Sequence, residues 1–225
     1  MKSIITTTAA VAVTLSSAFT LGSAPAHAQS WPTKPVRIVV PAPGGSSLDI
    51  VARLLSDKLK DKWGQPVIVD PKPGAGGTIG VDVAAKSTDN HTLVIGFPGP
   101  TAYGPFLYKK MPYDVSKDLV PIVITTTQPN VLAVNGNLPV KNVAELVAYA
   151  KANPGKLSYA SVGNGSSSHL AMELFKTEAG IDAQHIPFNG SPPAALSTAN
   201  GDTQLLFAVA SGIAPHVQSG KIRQI

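Results

Sequence analysis

The chain has 225 residues, of which 44% are hydrophobic and 14% charged, with 20 glycines, 20 prolines and no cysteine. Its formal net charge of +5 is spread over scattered Lys and Arg with no interleaved aromatic patch, which argues against nucleic acid as a partner and leaves only a mild field for anions. Without cysteine no disulfide can form, so apolar packing alone must hold the fold.

The first 28 residues stand apart. Met1-Lys2 is a short basic start, Ile4–Leu21 is apolar but diluted by Ser and Thr, and Ala26-His27-Ala28 is a small-x-small site. This order predicts a secretory signal peptide over 1–28, cleaved after Ala28, and an exported, periplasmic chain. A membrane anchor fits less well, because the Ser/Thr content is high and the cleavage site comes close behind. The remainder of the chain is long enough for one large or two small domains.

Past the leader the pattern alternates. Val36–Pro41 is a short β-branched run, hence a buried strand. The loop Pro43-Gly44-Gly45-Ser46-Ser47 leads into a helix over Leu48–Trp63, where Leu48, Val51, Leu55 and Leu59 share a stripe and Gly64 supplies the stop. Val67–Asp70 is a second strand, followed by a glycine–proline loop over Pro71–Gly77. A helix begins near Thr78, and Thr92–Phe97 is a third strand. A passage with Tyr103, Tyr108 and Tyr113 breaks the rhythm before two predicted strands, Val120–Thr126 and Val131–Asn135. A helix over Val140–Asn153 stops at Pro154-Gly155. Then come a strand (Leu157–Ala160), a loop, a helix (Ser167–Ala179), a strand (His185–Phe188), a short helix (Pro192–Ala199), a strand (Gln204–Val209), a helix (Ile213–Ser219) and a strand begun at Lys221.

Apolar strands alternating with helices predict an α/β fold with parallel sheets and helices on both faces. The break near residue 124 predicts two lobes, 29–124 and 125–225. Each carries a strand running into a glycine–serine loop and a helix: Gly44-Gly45-Ser46-Ser47-Leu48-Asp49 in one, Gly163-Asn164-Gly165-Ser166-Ser167-Ser168-His169 in the other. Open α/β sheets bind ligands at the carboxyl ends of their strands, so two facing lobes would present two helix N-termini to one cleft.

Four chemistries compete for these loops. Gly74-Ala75-Gly76-Gly77-Thr78-Ile79-Gly80 only superficially resembles a dinucleotide loop, because G-x-G-x-x-G would need glycine at Ile79, and no phosphate-loop G-x-x-x-x-G-K-[ST] exists. Serine hydrolysis lacks a G-x-S-x-G elbow, although Ser166, Ser167 or Ser168 could pair with His169, His185 or His216. A metal site is not supported, since His91, His169, His185 and His216 are dispersed and His169 with Glu173 supplies only two ligands. Anion binding by helix N-termini remains, with backbone N–H groups and hydroxyls as donors. Neither loop contains Lys or Arg, which suits a carboxylate better than a phosphate. Asp49, in the first helical turn, either caps the helix or orients the loop and accepts a bond from a ligand or its water.

The passages "WPTKPVRIVVPAPGGSSLDIVARLL", "VIVDPKPGAGGTIG", "YKKMPYDVSKDLVPI", "KANPGKLSYASVGNGSSSHLAMELF", "HIPFNGSPPAAL" and "GIAPHVQSGKIRQI" resemble the substrate-binding proteins of tripartite tricarboxylate transporters, the Bug family. They cover nearly all of the chain beyond the leader, in order. The resemblance implies a two-lobed clamshell of the periplasmic binding-protein kind, with parallel-rich sheets, that closes on a small carboxylate and passes it to a membrane permease. It implies no catalysis, no cofactor and no metal, and a monomer at full length. By motif match Gly44, Gly45, Ser46, Ser47 and Asp49 are ligand contacts, partly through ordered water. Gly76, Gly77 and Thr78 match a second loop, and Gly163, Asn164, Gly165, Ser166, Ser167 and His169 the loop of the other lobe. A ligand sensor docking a signalling receptor, or less readily an α/β serine hydrolase, is the alternative.

Two departures from the family pattern carry expectations. Family members often have an acidic residue where this chain has Ala208, which predicts a plain di- or tricarboxylate or an aromatic acid rather than an amino acid. The family chain also continues for roughly a hundred residues where this one stops at Ile225. A fragment or truncated product is expected from that, with an open sheet edge, poor solubility and weak binding.

Overall fold

A computed structural model describes residues 31–225. The expected signal peptide, 1–28, lies outside the described residues. Lys34–Ile225 forms one of the two units into which the chain divides, and all the elements below belong to it.

The first strands form a small parallel sheet. β1 (Val36–Val40) lies between β2 (Val67–Pro71) and β3 (Thr92–Val94), in the order β2-β1-β3. Helix α1 (Ser47–Trp63) joins β1 to β2 and packs Leu48 and Ala52 on the face made by Ile38, Val40, Val67 and Val69. Gly64 ends α1 in the left-handed conformation, with Lys60 and Lys62 complementing the dipole in its last turn. Helix α2 (Thr78–Ala85) joins β2 to β3 and packs against β1 and β3.

The tyrosine-rich passage holds three short helical pieces that the sequence pattern misses: a π turn at Gly99–Tyr103, α3 (Gly104–Leu107) and α4 (Val115–Asp118). Pro100 and Pro105 sit at helix starts, where a missing N–H costs nothing. The Tyr113 hydroxyl donates to Pro100 O at 2.9 Å and closes this passage on itself.

The second sheet is larger. β4 (Asn130–Asn135), β5 (Ser158–Ser161), β6 (Gln184–Pro187), β7 (Leu205–Val209) and β8 (Ile222–Gln224) lie in the order β6-β5-β7-β4-β8. Alternation sends Leu132, Val134, Tyr159 and Leu205 to one face, where α5 (Val143–Ala152) and α6 (Ser167–Ala179) bring Leu146, Ala150 and Met172. Ala133, Ala160, Leu206 and Ala208 point to the other face, covered by Ala194, Ala195 and Ala199 of α7 (Ser191–Asn200) and Ile213 of α8 (Ala210–Gln218). Helices therefore cover both faces, as alternating apolar strands require.

Three expectations need correction. Val120–Thr126 forms no strand; Val120, Ile122, Val123 and Ile124 are highly exposed and the segment pairs with neither sheet. The larger sheet is not wholly parallel, since β4 runs antiparallel to both β7 and β8. Helix α5 starts at Val143 rather than Val140. Asn142 caps it by accepting from Glu145 N, while Glu145 reaches back to Lys141 N at 2.7 Å, and Val140 is buried ahead of the helix.

Candidate functional site

The two lead loops are built alike to the level of single hydrogen bonds. In the first, Ser46 is the N-cap of α1, with φ −71° and ψ 161°, and its Oγ accepts from Asp49 N at 3.2 Å. In the second, Ser166 is the N-cap of α6, with φ −70° and ψ 161°, and its Oγ accepts from His169 N at 3.3 Å. Each is preceded by a left-handed glycine, Gly45 at φ +77° and Gly165 at φ +73°. The side chain three residues into the cap then reaches back to that glycine. Asp49 Oδ2 accepts from Gly45 N at 2.9 Å, and His169 Nδ1 accepts from Gly165 N at 3.1 Å. Both are variants of the capping box.

These bonds decide what each predicted residue can offer. The Ser46 and Ser166 hydroxyls are buried and engaged in capping, and their amides bond to Pro43 O and Gly163 O. Ser168 Oγ accepts from Val162 N at 3.0 Å. None of these serines is a free nucleophile. The amides of Ser47, Leu48, Ser167 and Ser168, in the first turns of α1 and α6, have no hydrogen-bond partner among the described residues, as expected of N1 and N2 positions. These four are the helix-terminal donors available to an anion.

Asp49 is nearly completely buried, and its Oδ1 has no hydrogen-bond partner among the described residues. Arg53, one turn along α1, donates to Oδ2 at 2.9 Å. That bond holds the carboxyl below the usual carboxylate range against the opposing effect of burial, with Gly45 N–H assisting. Asp49 thus stays ionised, with one oxygen fixed and the other an unmatched buried acceptor.

The third loop approaches the second directly. Ala75–Gly77 forms a 3-10 turn ahead of α2, with Gly76 at φ +61°. A Cβ on Gly76 would lie 2.7 Å from Asn164 O, and one on Gly163 would lie 3.1 Å from Gly76 Cα. Tyr108, just beyond α3, donates its hydroxyl to Asn164 O at 3.1 Å. On the other side Gly190, the cap of α7, sits against the Pro43 ring. The structure therefore brings Gly76, Gly163 and Asn164 together, and sets the Pro43 loop beside the start of α7.

Behind the Ser166 loop lies a set of rings. Tyr159 and His185 are register partners on β5 and β6, stacked at 4.8 Å, and His185 stacks on His169 at 4.1 Å. Ser161 Oγ lies 2.6 Å from His185 Nε2 and accepts from Gly163 N at 3.2 Å. This is a serine–histidine contact, but Ser161 is fully buried, so no substrate carbonyl can reach it. Burial pushes His169 below its ordinary range, and pushes His185 down to about 4. Tyr159 donates to Glu173 Oε1 at 2.5 Å, and Lys176 Nζ donates to the same oxygen at 2.9 Å. Burial acts against ionising Glu173, yet the Lys176 and Tyr159 bonds outweigh it and hold its pKa low.

The sequence assigns no role to Arg53, Tyr108, Ser161 and Gly190, and weighs His185 only as a partner for a serine or a metal. Arg53 was legible as the i+4 neighbour of Asp49; the others reach the loops only through tertiary contact. A separate concavity of about 550 Å³ is lined by Ile186, Phe188, Pro193 and Leu196 with polar neighbours, and none of its lining residues belongs to these loops. Among the described residues no three metal-ligating side chains cluster, and no helix is long and apolar enough to cross a membrane.

Two sheets, each sending strand carboxyl ends into capped loops that meet the other's, define the fold of a periplasmic binding protein. The family model described as the tripartite tricarboxylate transporter family receptor matches residues 51–225, and the chain belongs to that family. It is 40% identical over 199 residues to a UPF0065 protein of Bordetella bronchiseptica, covering 88% of this chain and 59% of the relative. It is 37% identical over 205 residues to protein BugT of Bordetella pertussis, covering 90% of this chain and 63% of that one. Among solved structures, R. palustris Rpa4515 with adipate aligns with a TM-score of 0.84 and 36% identity, over 87% of this chain and 66% of the other. MatC from Rhodopseudomonas palustris with bound malate aligns with a TM-score of 0.80 and 29% identity, over 86% and 66%. The chain thus spans about three fifths of the length of these curated relatives.

Proposed function

We propose that the protein is a periplasmic receptor that binds a small carboxylate between lobes 29–124 and 125–225, without catalysis, and presents it to the permease of a tripartite tricarboxylate transporter. Residues 1–28 are its export signal. The observation that carries this reading is the matched pair of capped loops, each with unpaired helix-terminal amides and neither with a cationic side chain. Relatives crystallised with adipate and malate support the ligand class.

Magnitudes limit what each part contributes. One helix terminus supplies about 0.3–1 kcal/mol, up to about 2 when partly buried, whereas micromolar binding needs about −8 kcal/mol. Closure must add further donors. By motif, Gly44, Gly45, Ser47, Gly76, Gly77 and Thr78 line the cleft from one lobe and Gly163, Asn164, Gly165 and Ser167 from the other; the amides of Gly45, Gly77, Thr78, Gly163 and Gly165 are already bonded within the protein, so these residues shape the cleft rather than donate. The orphan Asp49 Oδ1 is too buried for the ligand itself to reach and takes its donor from an ordered water beneath the loop.

Ala208 gives the site no acceptor for a ligand amine; it is buried among Ala194, Ala195 and Ile213. A di- or tricarboxylate or an aromatic acid is therefore preferred to an amino acid. A thermal-shift screen over carboxylates tests the reading, since a ligand at 100 times its Kd stabilises by about 2.7 kcal/mol. Stabilisation by aliphatic or aromatic acids, confirmed by calorimetry, is the expected result. Tighter binding of aspartate or glutamate would sink the preference, and no response to any carboxylate would sink the function.

A further inference from the structure

We infer that His169 is a positioning residue that holds the ligand loop of the larger sheet through the Gly165 amide, and that protonation of its ring releases the loop; this rests on the proposed carboxylate-binding function. Gly165 N donates to His169 Nδ1 at 3.1 Å, and only a neutral imidazole with its proton on Nε2 has an acceptor there. The equivalent bond in the other loop, Gly45 N to Asp49 Oδ2 at 2.9 Å, ends on a carboxylate. The two lobes therefore solve one structural problem with acceptors that titrate in different pH ranges. Asp49 keeps its charge because Arg53 stabilises it. His169 is the member of the pair that is neutral in this arrangement and gains a charge on acidification, below the ordinary histidine range because burial disfavours the imidazolium.

The loop is held at both ends by the stacked pair. His169 fixes Gly165, while His185, 4.1 Å away ring to ring, contacts Ser161 Oγ, which accepts from Gly163 N. Between those two glycines lies Asn164, whose carbonyl meets Tyr108 and Gly76. Losing the Gly165 bond frees one end of the segment that touches the opposite lobe. The titratable and charged groups facing His169 are Glu173 and Lys176 on its own helix, Tyr159 on β5 and His185 on β6. Tyr108 stands across the loop at Gly165. Burial and Lys176 disfavour the imidazolium and Glu173 favours it, so the neutral form holds at neutral pH. His169 then acts through Gly165 rather than as the direct ligand contact expected from its motif.

The test compares the protein with His169→Asn and His169→Leu, using adipate as probe from pH 7.5 to 5. Asn offers a short neutral acceptor that does not titrate in this range, whereas Leu offers none. We expect His169→Asn to bind within about threefold of the parent at pH 7.5 and His169→Leu to bind about tenfold more weakly, the loss corresponding to one hydrogen bond. On acidification the parent should lose affinity faster than His169→Asn, which carries the probe's own titration and so isolates the ring. The protection of the Gly165 amide against exchange, measured without ligand and relative to the intrinsic rate at each pH, should fall on acidification in the parent and be low at every pH in His169→Leu. Parent-like exchange and affinity in His169→Leu would overturn the inference, as would identical pH profiles in the parent and His169→Asn. If adipate and other carboxylates fail to bind the parent, the proposed function fails, and the ligand-free exchange measurement still judges the brace.

Discussion

The Tyr108 hydroxyl donates to the carbonyl oxygen of Asn164 at 3.1 Å, joining the segment after the small sheet to the glycine–serine loop of the large one. It bridges residues whose elements share no strand pairing. Tyr108 is itself partly exposed, so the bond competes with water and contributes modestly, about 0.5–1.5 kcal/mol. Tyr108→Phe should therefore weaken carboxylate binding by about 3–10-fold, chiefly through a faster dissociation rate. Stopped-flow and calorimetry on the same variant check this. Unchanged kinetics would mean that the bond does not hold the closed form.

Asp49 ties the first loop to its helix through Gly45 and Arg53. Its Oδ2 bonds both Gly45 N and Arg53 Nε, and the residue is almost inaccessible. Asp49→Ala removes a cap and leaves the Gly45 amide unsatisfied, a cost of about 1–3 kcal/mol in urea unfolding. Arg53→Gln should cost clearly less than Asp49→Ala, because Arg53 is largely exposed and its ion pair is screened. Equal losses in the two variants would show that the carboxylate matters only as the partner of Arg53.

Much of this arrangement was legible in the sequence. Gly64 marks a helix end where it falls, and capping was one of the two readings open for Asp49; that Ser46 and Ser166 are the caps themselves emerges only from the structure. The direction of β4 was not legible, because Val131, Leu132, Ala133 and Val134 read as the same apolar run whichever way the strand points. The Val120–Ile124 run misled for a related reason: β-branched composition favours a strand, but only a neighbouring edge can complete it. The histidine brace was hidden because Ser161, His169 and His185 come from three elements, and only the register Tyr159 to His185 aligns their rings.

That stack gives stability a definite dependence on acidity. Burial depresses His185 from its ordinary value of 6.5 to about 4. Between those values the unfolded chain binds a proton that the folded chain refuses, so lowering the pH favours unfolding. The contribution is complete above about pH 6.5 and is lost progressively as pH falls toward 4. With the ring only part-buried, we expect a loss on the order of 2 kcal/mol. His185→Gln, which keeps a polar partner for Ser161 but cannot titrate here, should flatten the fall. Urea unfolding of both proteins at pH 7, 5.5 and 4.5 measures it, and parallel curves would remove His185 as the cause.

Gly76 reports on the loop contact itself. It sits at φ +61°, and a Cβ there would lie 2.7 Å from the backbone oxygen of Asn164. Backbone oxygens do not yield as a flexible side chain does, so Gly76→Ala must either force the loops apart or shift one of them. Gly155 supplies the control: its φ is +70°, yet nothing lies within 4 Å of its added methyl. Both substitutions carry the left-handed strain of about 1–2 kcal/mol, and only Gly76→Ala adds the clash. Both variants are expected to lose thermal stability, Gly76→Ala the more, with carboxylate affinity reduced by about tenfold in Gly76→Ala alone, roughly the worth of the Tyr108–Asn164 bond that a displaced loop would lose. If Gly155→Ala loses affinity equally, strain in the fold and not closure of the Gly76–Asn164 contact limits binding.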